Sequence, residues 1–185
     1  MKPKAMLIGD SIRMYCQAEI TRQLENDFTV WGPEENCRFA KYTAKQLPIW
    51  FGVVGTPDII HWNNGLWDTT HLYAEDGPFT PLEEYLRYLA IVLRELRKRC
   101  PKVIFATTTP VVEPHATQKN SVISAYNQAA TAFMQAQGVP VNDLYAFVYP
   151  QRTTWLCEDG CHPAEAGKAA IGAEVARVIR NCAAS

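Results

Sequence analysis

No stretch of this sequence approaches the ~18 consecutive apolar residues of a membrane-crossing helix. The start, Met1-Lys2-Pro3-Lys4, is basic, but the apolar run after it is only Ala5-Met6-Leu7-Ile8. That is too short for the apolar region of a secretory leader, so the expected location is cytoplasmic. Charge of one sign is also missing: 18 Lys and Arg face 19 Asp and Glu, for a formal net charge of -1. Such a balance creates no field that would gather nucleic acid or an acidic membrane, and neither is expected as a partner. Low-complexity tracts, internal repeats and Gly/Ser linkers are absent, so one domain spanning residues 1–185 is expected. No phosphate-cradling G-x-x-x-x-G-K-[ST] motif occurs.

Cysteine is not scarce, but its arrangement is uninformative. The six residues stand at 16, 37, 100, 157, 161 and 182 with no C-x-x-C pair. Cys157-x3-Cys161-His162 offers too few ligands for a zinc site, which needs about four. Partly buried thiols are the expectation, with a Cys157–Cys161 disulfide as the lesser alternative.

What the sequence does contain is an alternation of short apolar runs and amphipathic segments. Candidate strands cover 5–9, 28–31, 58–62, 102–108 and 139–143, and candidate helices cover 12–26, 43–52, 81–99, 120–137 and 163–181. The third helix has the clearest pattern. Thr80, Pro81 and Glu83 read as an N-cap, a first helical residue and a T-x-x-E capping box, and Leu82, Leu86, Leu89, Val92, Leu93 and Leu96 follow at helical spacing. Strands alternating with helices predict βαβ units, hence an α/β fold: a three-layer α/β/α sandwich around a five-stranded parallel sheet, flavodoxin-like in topology. Sites in such sheets gather at the carboxyl ends of the strands. Ser11, Asn63-Asn64-Gly65, Thr108-Thr109-Pro110 and the Asp159/His162 segment would then converge on one edge.

Three of those residues have complementary chemistry. A serine hydroxyl is a weak nucleophile until an imidazole takes its proton, and the imidazole needs a carboxylate to hold its tautomer. Ser11, in Gly9-Asp10-Ser11-Ile12, would be the nucleophile; the same position also suits a helix N-cap. His162 would be the general base. Asp159, three residues earlier across Gly160, would orient it, with Glu158 as the rival carboxylate. Asp10 is expected to shape the turn. Of the other histidines, His61 falls inside a predicted strand and is expected to be structural, while His71 and His115 are loop candidates for a pocket wall.

Gly9-Asp10-Ser11 after the first strand, an Asn/Gly turn after the third, and Asp159-x-x-His162 before the last helix resemble the SGNH, or GDSL-type, serine hydrolases. The resemblance runs through nearly the whole chain. It implies a Ser-His-Asp esterase that needs no metal or organic cofactor and takes a small-molecule ester as its partner. It also implies an oxyanion hole, and here the sequence departs from the family. Gly-x-Asn-Asp is usual after the third strand, but aligning Gly65 and Asp68 with that block puts Trp67 at the asparagine. The side-chain donor would then be Asn63 or Asn64. The second block usually carries a glycine whose amide points into the hole; no glycine follows Asn36, so the Cys37 amide would serve, alongside that of Ser11.

Trp67 and Trp155 are candidates for the substrate wall, since acyl groups and sugars both pack on flat apolar faces. The expected substrates are short-acyl, acetyl-like esters of carbohydrates or other small alcohols. The alternative is a catalytically impaired protein of the same fold that binds a carbohydrate or protein partner. A flavin or nucleotide binder fits poorly, because Asp10 puts a carboxylate where a phosphate loop would lie.

Overall fold

Five parallel strands form the centre of the structure, a computed structural model that describes residues 2–73 and 75–184. They are β1 (Lys4–Ile8), β2 (Thr29–Trp31), β3 (Ile59–Asn63), β4 (Lys102–Ala106) and β5 (Val141–Asn142). Their spatial order is β2-β1-β3-β4-β5. The chain turns from one direction to the other at β1, and β1 lies beside β3 with Met6 opposite Ile60 and Ile8 opposite Trp62. That switch opens a crevice at the carboxyl end of β1, where a ligand can lie between diverging loops.

The helices cover both faces. They are α1 (Ser11–Leu24), α2 (Ala40–Val54), α3 (Leu82–Arg97), α4 (Asn120–Ala136), α5 (Leu144–Val148), α6 (Arg152–Trp155) and α7 (Glu165–Ala184). Side chains alternate across a strand, and β1 divides accordingly. Met6 and Ile8 pack with Trp50 and Phe51 of α2 and with Leu89, Val92 and Leu96 of α3. Ala5 and Leu7 pack with Cys16 and Ile20 of α1 and Ile171 and Val175 of α7. The last four β1 side chains, Ala5 to Ile8, are fully buried, as expected for a parallel strand covered on both sides. Burying each large apolar side chain of α3 stabilises the fold by roughly 1.5–3 kcal/mol relative to exposure.

Two local expectations need correction. The capping box at Thr80 does not form: Pro81 is the N-cap of α3 and supplies no side-chain cap. The Thr80 hydroxyl bonds Asp68 instead, and its amide donates to the Asp68 carbonyl at 3.0 Å. A tertiary partner has outcompeted the local cap. The span between the fifth candidate strand and the last candidate helix, where no element is expected, contains α5 and α6, the first of them capped by Asp143, whose side chain accepts from the Ala146 amide. β5 itself shrinks to two residues, since Pro140 lacks the N–H that would extend the ladder.

Candidate active site

Ser11 is the first residue of α1, immediately beyond β1. Two neighbours make that turn. Gly9 is required for space, because a Cβ there would lie 2.7 Å from the Arg13 Cβ. Asp10 is the N-cap, and its Oδ1 accepts from the Ile12 amide at 2.9 Å. Burial pushes the Asp10 carboxyl up to about 6. Among the described residues its Oδ2 has no partner and, like the Thr109 hydroxyl, which has none either, it borders a small cavity of about 30 Å³ behind α1.

Arg13, one turn on, was not singled out by the sequence. Its guanidinium donates to the carbonyls of Pro33 (2.8 Å) and Glu35 (2.7 Å). It thereby ties the loop after β2 to the nucleophile helix.

At the other end of the chain, Leu156 pairs with Pro163 and the Cys157 amide donates to the His162 carbonyl at 2.7 Å. This closes a tight loop whose tip is Gly160, at φ 73°, a left-handed conformation that glycine adopts without strain. The Gly160 carbonyl accepts from the Val112 amide at 2.7 Å, fastening the loop to the segment after β4.

The loop and the helix bring three of the expected residues into a hydrogen-bonded line. His162 Nε2 lies 2.9 Å from Ser11 Oγ, and His162 Nδ1 lies 2.7 Å from Asp159 Oδ2. The other Asp159 oxygen accepts from the Cys161 (2.9 Å) and His162 (3.0 Å) amides. Desolvation raises the Asp159 carboxyl, but those amides and the imidazole outweigh it and hold the group below its usual value. An ionised Asp159 keeps the Nδ1 proton between them, so Nε2 presents its lone pair to the serine hydroxyl. The imidazole also stacks on Tyr15, with ring centroids 4.8 Å apart. Tyr15 lies one helical turn beyond Ser11, on the same face of α1. Neither its helical spacing nor its type marked it in the sequence, because the ring it meets is 147 residues away.

The expected oxyanion donors are engaged elsewhere. The Asn63 side chain donates to the Ala106 carbonyl at 2.9 Å, joining the ends of β3 and β4. Asn64 is fully buried; its Nδ2 donates to the Arg38 carbonyl and to Thr43 Oγ1, both at 3.0 Å, and its Oδ1 accepts from the Trp62 indole at 2.7 Å. Both of its donors are therefore occupied. The Cys37 amide donates to the Gly9 carbonyl at 3.2 Å, and the Cys37 side chain is buried in the core. The left-handed residue in this loop is Arg38, at φ 51°. The position where glycine would be favoured is thus one residue beyond the one chosen on sequence.

An open cleft of about 360 Å³ lies over Ser11 and His162, and Asn36, Trp67, His115 and Gln118 form much of its wall. Trp67 is 40% exposed there. Trp155 is not in this wall: it packs on Phe147, with ring centroids 5.3 Å apart, against the core beside α7. His61 is buried, with Nε2 3.1 Å from the Asn142 side-chain nitrogen, and burial pushes it down to about 4. His71 lies outside the wall, with Nδ1 3.1 Å from the Thr69 carbonyl. Cys157 and Cys161 are separate thiols. Among the described residues, no three His, Cys, Asp or Glu side chains group as a metal site requires, and no helix is long and apolar enough to cross a membrane.

No protein-family model and no curated protein matches the sequence. Solved structures do match across almost the entire chain. A lipase/acylhydrolase from Enterococcus faecalis superposes with a TM-score of 0.79 at 20% identity, covering 97% of this chain and 96% of its own. The acetyl xylan esterase AlAXEase gives 0.78 at 15% identity, covering 95% and 99%. A carbohydrate esterase family 3 protein from Talaromyces cellulolyticus gives 0.72 at 20%, covering 99% of each chain. At these identities the likeness defines the fold, a three-layer α/β/α sandwich around a five-stranded parallel sheet.

Proposed function

We propose that this protein is an SGNH-type serine esterase that hydrolyses short-acyl, acetyl-like carboxylic esters of carbohydrates or other small alcohols. The observation that carries the reading is the line Ser11 Oγ, His162, Asp159, with contacts of 2.9 and 2.7 Å. The fold shared with acylhydrolases and acetyl xylan esterases supports it.

The chemistry follows from the contacts. His162 Nε2 takes the hydroxyl proton as Ser11 Oγ forms a bond to the carbonyl carbon, and the carbonyl π electrons move onto oxygen. Collapse of this tetrahedral oxyanion breaks the bond to the alcohol, which leaves with the proton from Nε2. Water, deprotonated by the same nitrogen, then attacks the acyl-Ser11 ester, and Ser11 recovers its proton as the acid departs. Throughout, the Asp159 carboxylate stabilises the imidazolium and is not itself protonated. An open cleft walled by a half-exposed Trp67 suits a small acyl group on a polar alcohol better than a long lipid chain, which would need deeper burial.

The test is hydrolysis of p-nitrophenyl acetate by the wild-type protein and by Ser11→Ala. Loss of turnover in the variant is expected. Equal rates would overturn Ser11 as the nucleophile, and no turnover by the wild type would leave a binding protein of this fold as the explanation.

A further inference from the structure

A tetrahedral oxyanion needs hydrogen-bond donors that are already in place when charge develops. The resemblance pointed to Asn63, Asn64 and the Cys37 amide: both N–H groups of Asn64 and the Cys37 amide are bonded within the protein, and Asn63, with one N–H on the Ala106 carbonyl, borders the cavity behind α1 and not the cleft over Ser11. The other side-chain amide of the cleft wall is occupied. The Gln118 side chain donates to the Leu66 carbonyl at 2.6 Å and to Thr70 Oγ1 at 2.8 Å. The Ser11 amide is the first of α1 and has no intrahelical acceptor.

Asn36 differs from all of these. It lines the same cleft as Ser11 and His162. Its Oδ1 accepts from the Arg38 amide at 2.8 Å, while its Nδ2 has no acceptor among the described residues. That bond does more than occupy the oxygen. A carboxamide is planar, so fixing Oδ1 on a backbone N–H also fixes where the two N–H groups of Nδ2 point.

The surrounding loop is held with unusual thoroughness for an irregular segment. The Arg38 carbonyl accepts from Asn64, the Cys37 carbonyl from Thr43, the Cys37 amide donates to Gly9, and Arg13 grips the Pro33 and Glu35 carbonyls. Arg38 is kept in a left-handed conformation that a side chain disfavours. Strain of this kind persists only where the surroundings over-determine it, and here they fix the turn that carries Asn36.

Resting on the esterase reading above, we propose that Asn36 is a catalytic residue: its side-chain N–H, with the Ser11 amide, donates to the oxyanion. The side-chain donor would thus come from the loop after β2 and not from the loop after β3. Asn64 and Arg13 act through Asn36, as positioning residues.

The test uses Asn36→Asp and Asn36→Ala on p-nitrophenyl acetate. Aspartate keeps the Oδ1 acceptor for the Arg38 amide and so keeps the turn, but it loses the donor and places negative charge beside the oxyanion. Both variants are expected to lose roughly two to three orders of magnitude in kcat, with KM within about threefold and thermal unfolding of the aspartate variant unchanged. Phosphylation of Ser11 by diethyl p-nitrophenyl phosphate, which forms a tetrahedral adduct with its own oxyanion contact, should slow in parallel.

Full activity in Asn36→Asp would overturn the proposal and leave Asn36 a turn-forming role only. So would a comparable kcat loss confined to Trp67→Phe, which removes the indole N–H from the same wall. In either case Ser11-dependent hydrolysis by the wild type still stands, whereas an inactive wild type overturns the esterase reading and this proposal together.

Discussion

Tyr15 lies against His162 with its ring plane inclined 24° to the imidazole and its centroid 4.8 Å away. A cation lies near the same ring: Lys168 Nζ is 5.5 Å from the Tyr15 ring centroid and 2.5 Å from Glu165 Oε1. The imidazole is therefore restrained at three points, by Asp159 at Nδ1, Ser11 at Nε2 and Tyr15 across its face. Stacking of this type contributes about 0.5–1.5 kcal/mol beyond area burial.

The first prediction tests that restraint. Tyr15→Ala should lower kcat roughly 2- to 10-fold, the rate equivalent of the stacking energy. Tyr15→Phe keeps the ring and should stay near wild type. Steady-state kinetics on p-nitrophenyl acetate decide it, and equal losses in both variants would assign the effect to the hydroxyl and not to the stack.

Asp159→Asn should cost roughly three to four orders of magnitude in kcat. The amide leaves His162 without the carboxylate that holds its Nδ1 proton and stabilises its charge. Glu158→Gln should leave the rate unchanged, because the short contact to His162 Nδ1 comes from Asp159 at 2.7 Å. Rates measured on both variants distinguish the two carboxylates.

Asn64→Ala should destabilise the protein, by roughly 2–3 kcal/mol. It strands the buried Trp62 indole N–H and removes the partner of the part-buried Arg38 carbonyl. Urea unfolding followed by fluorescence measures this, and an unchanged midpoint would contradict it.

Stability should depend on pH through two buried carboxyls. Burial is the largest cause in both cases, and it raises Asp10 from 3.8 to about 6 and Asp68 from 3.8 to about 7. Between about pH 4 and 7 the native chain then binds more protons than the unfolded chain, so stability falls as pH rises. The contribution is complete below about pH 4 and lost as pH passes through the native values. Wild type should lose stability relative to Asp68→Asn between pH 5 and pH 8, read from urea midpoints. Parallel curves for the two proteins would show that Asp68 does not titrate in this range.

Much of this was legible in the sequence for identifiable reasons. The strands are short apolar runs and the helices follow the 3.6-residue period, so their order and the parallel sheet follow from local patterning. Asp159 and His162 are close along the chain, and a glycine turn lets them meet. The errors arose where a local signal competed with a distant partner. Thr80 looks like a helix cap until Asp68 takes its hydroxyl. Asn63 and Asn64 sit at the end of β3, yet one Asn63 N–H is bonded to the Ala106 carbonyl and both N–H groups of Asn64 are bonded to the Arg38 carbonyl and Thr43. Trp155 looks like an exposed loop aromatic, but Phe147 covers it.

The sequence alone determined the five strands and the five long helices, their order, the sheet edge on which Ser11 and His162 would meet, and the pairing of Asp159 with His162. Those depend on periodicity and on contacts between near neighbours in the chain. The tertiary structure alone decided which donors are spent and which remain. A side-chain amide has two N–H groups, and whether they face a ligand or a carbonyl depends on residues dozens of positions away. The Arg38 and Ala106 carbonyls take N–H groups of Asn64 and Asn63 in this way, from 26 and 43 positions away.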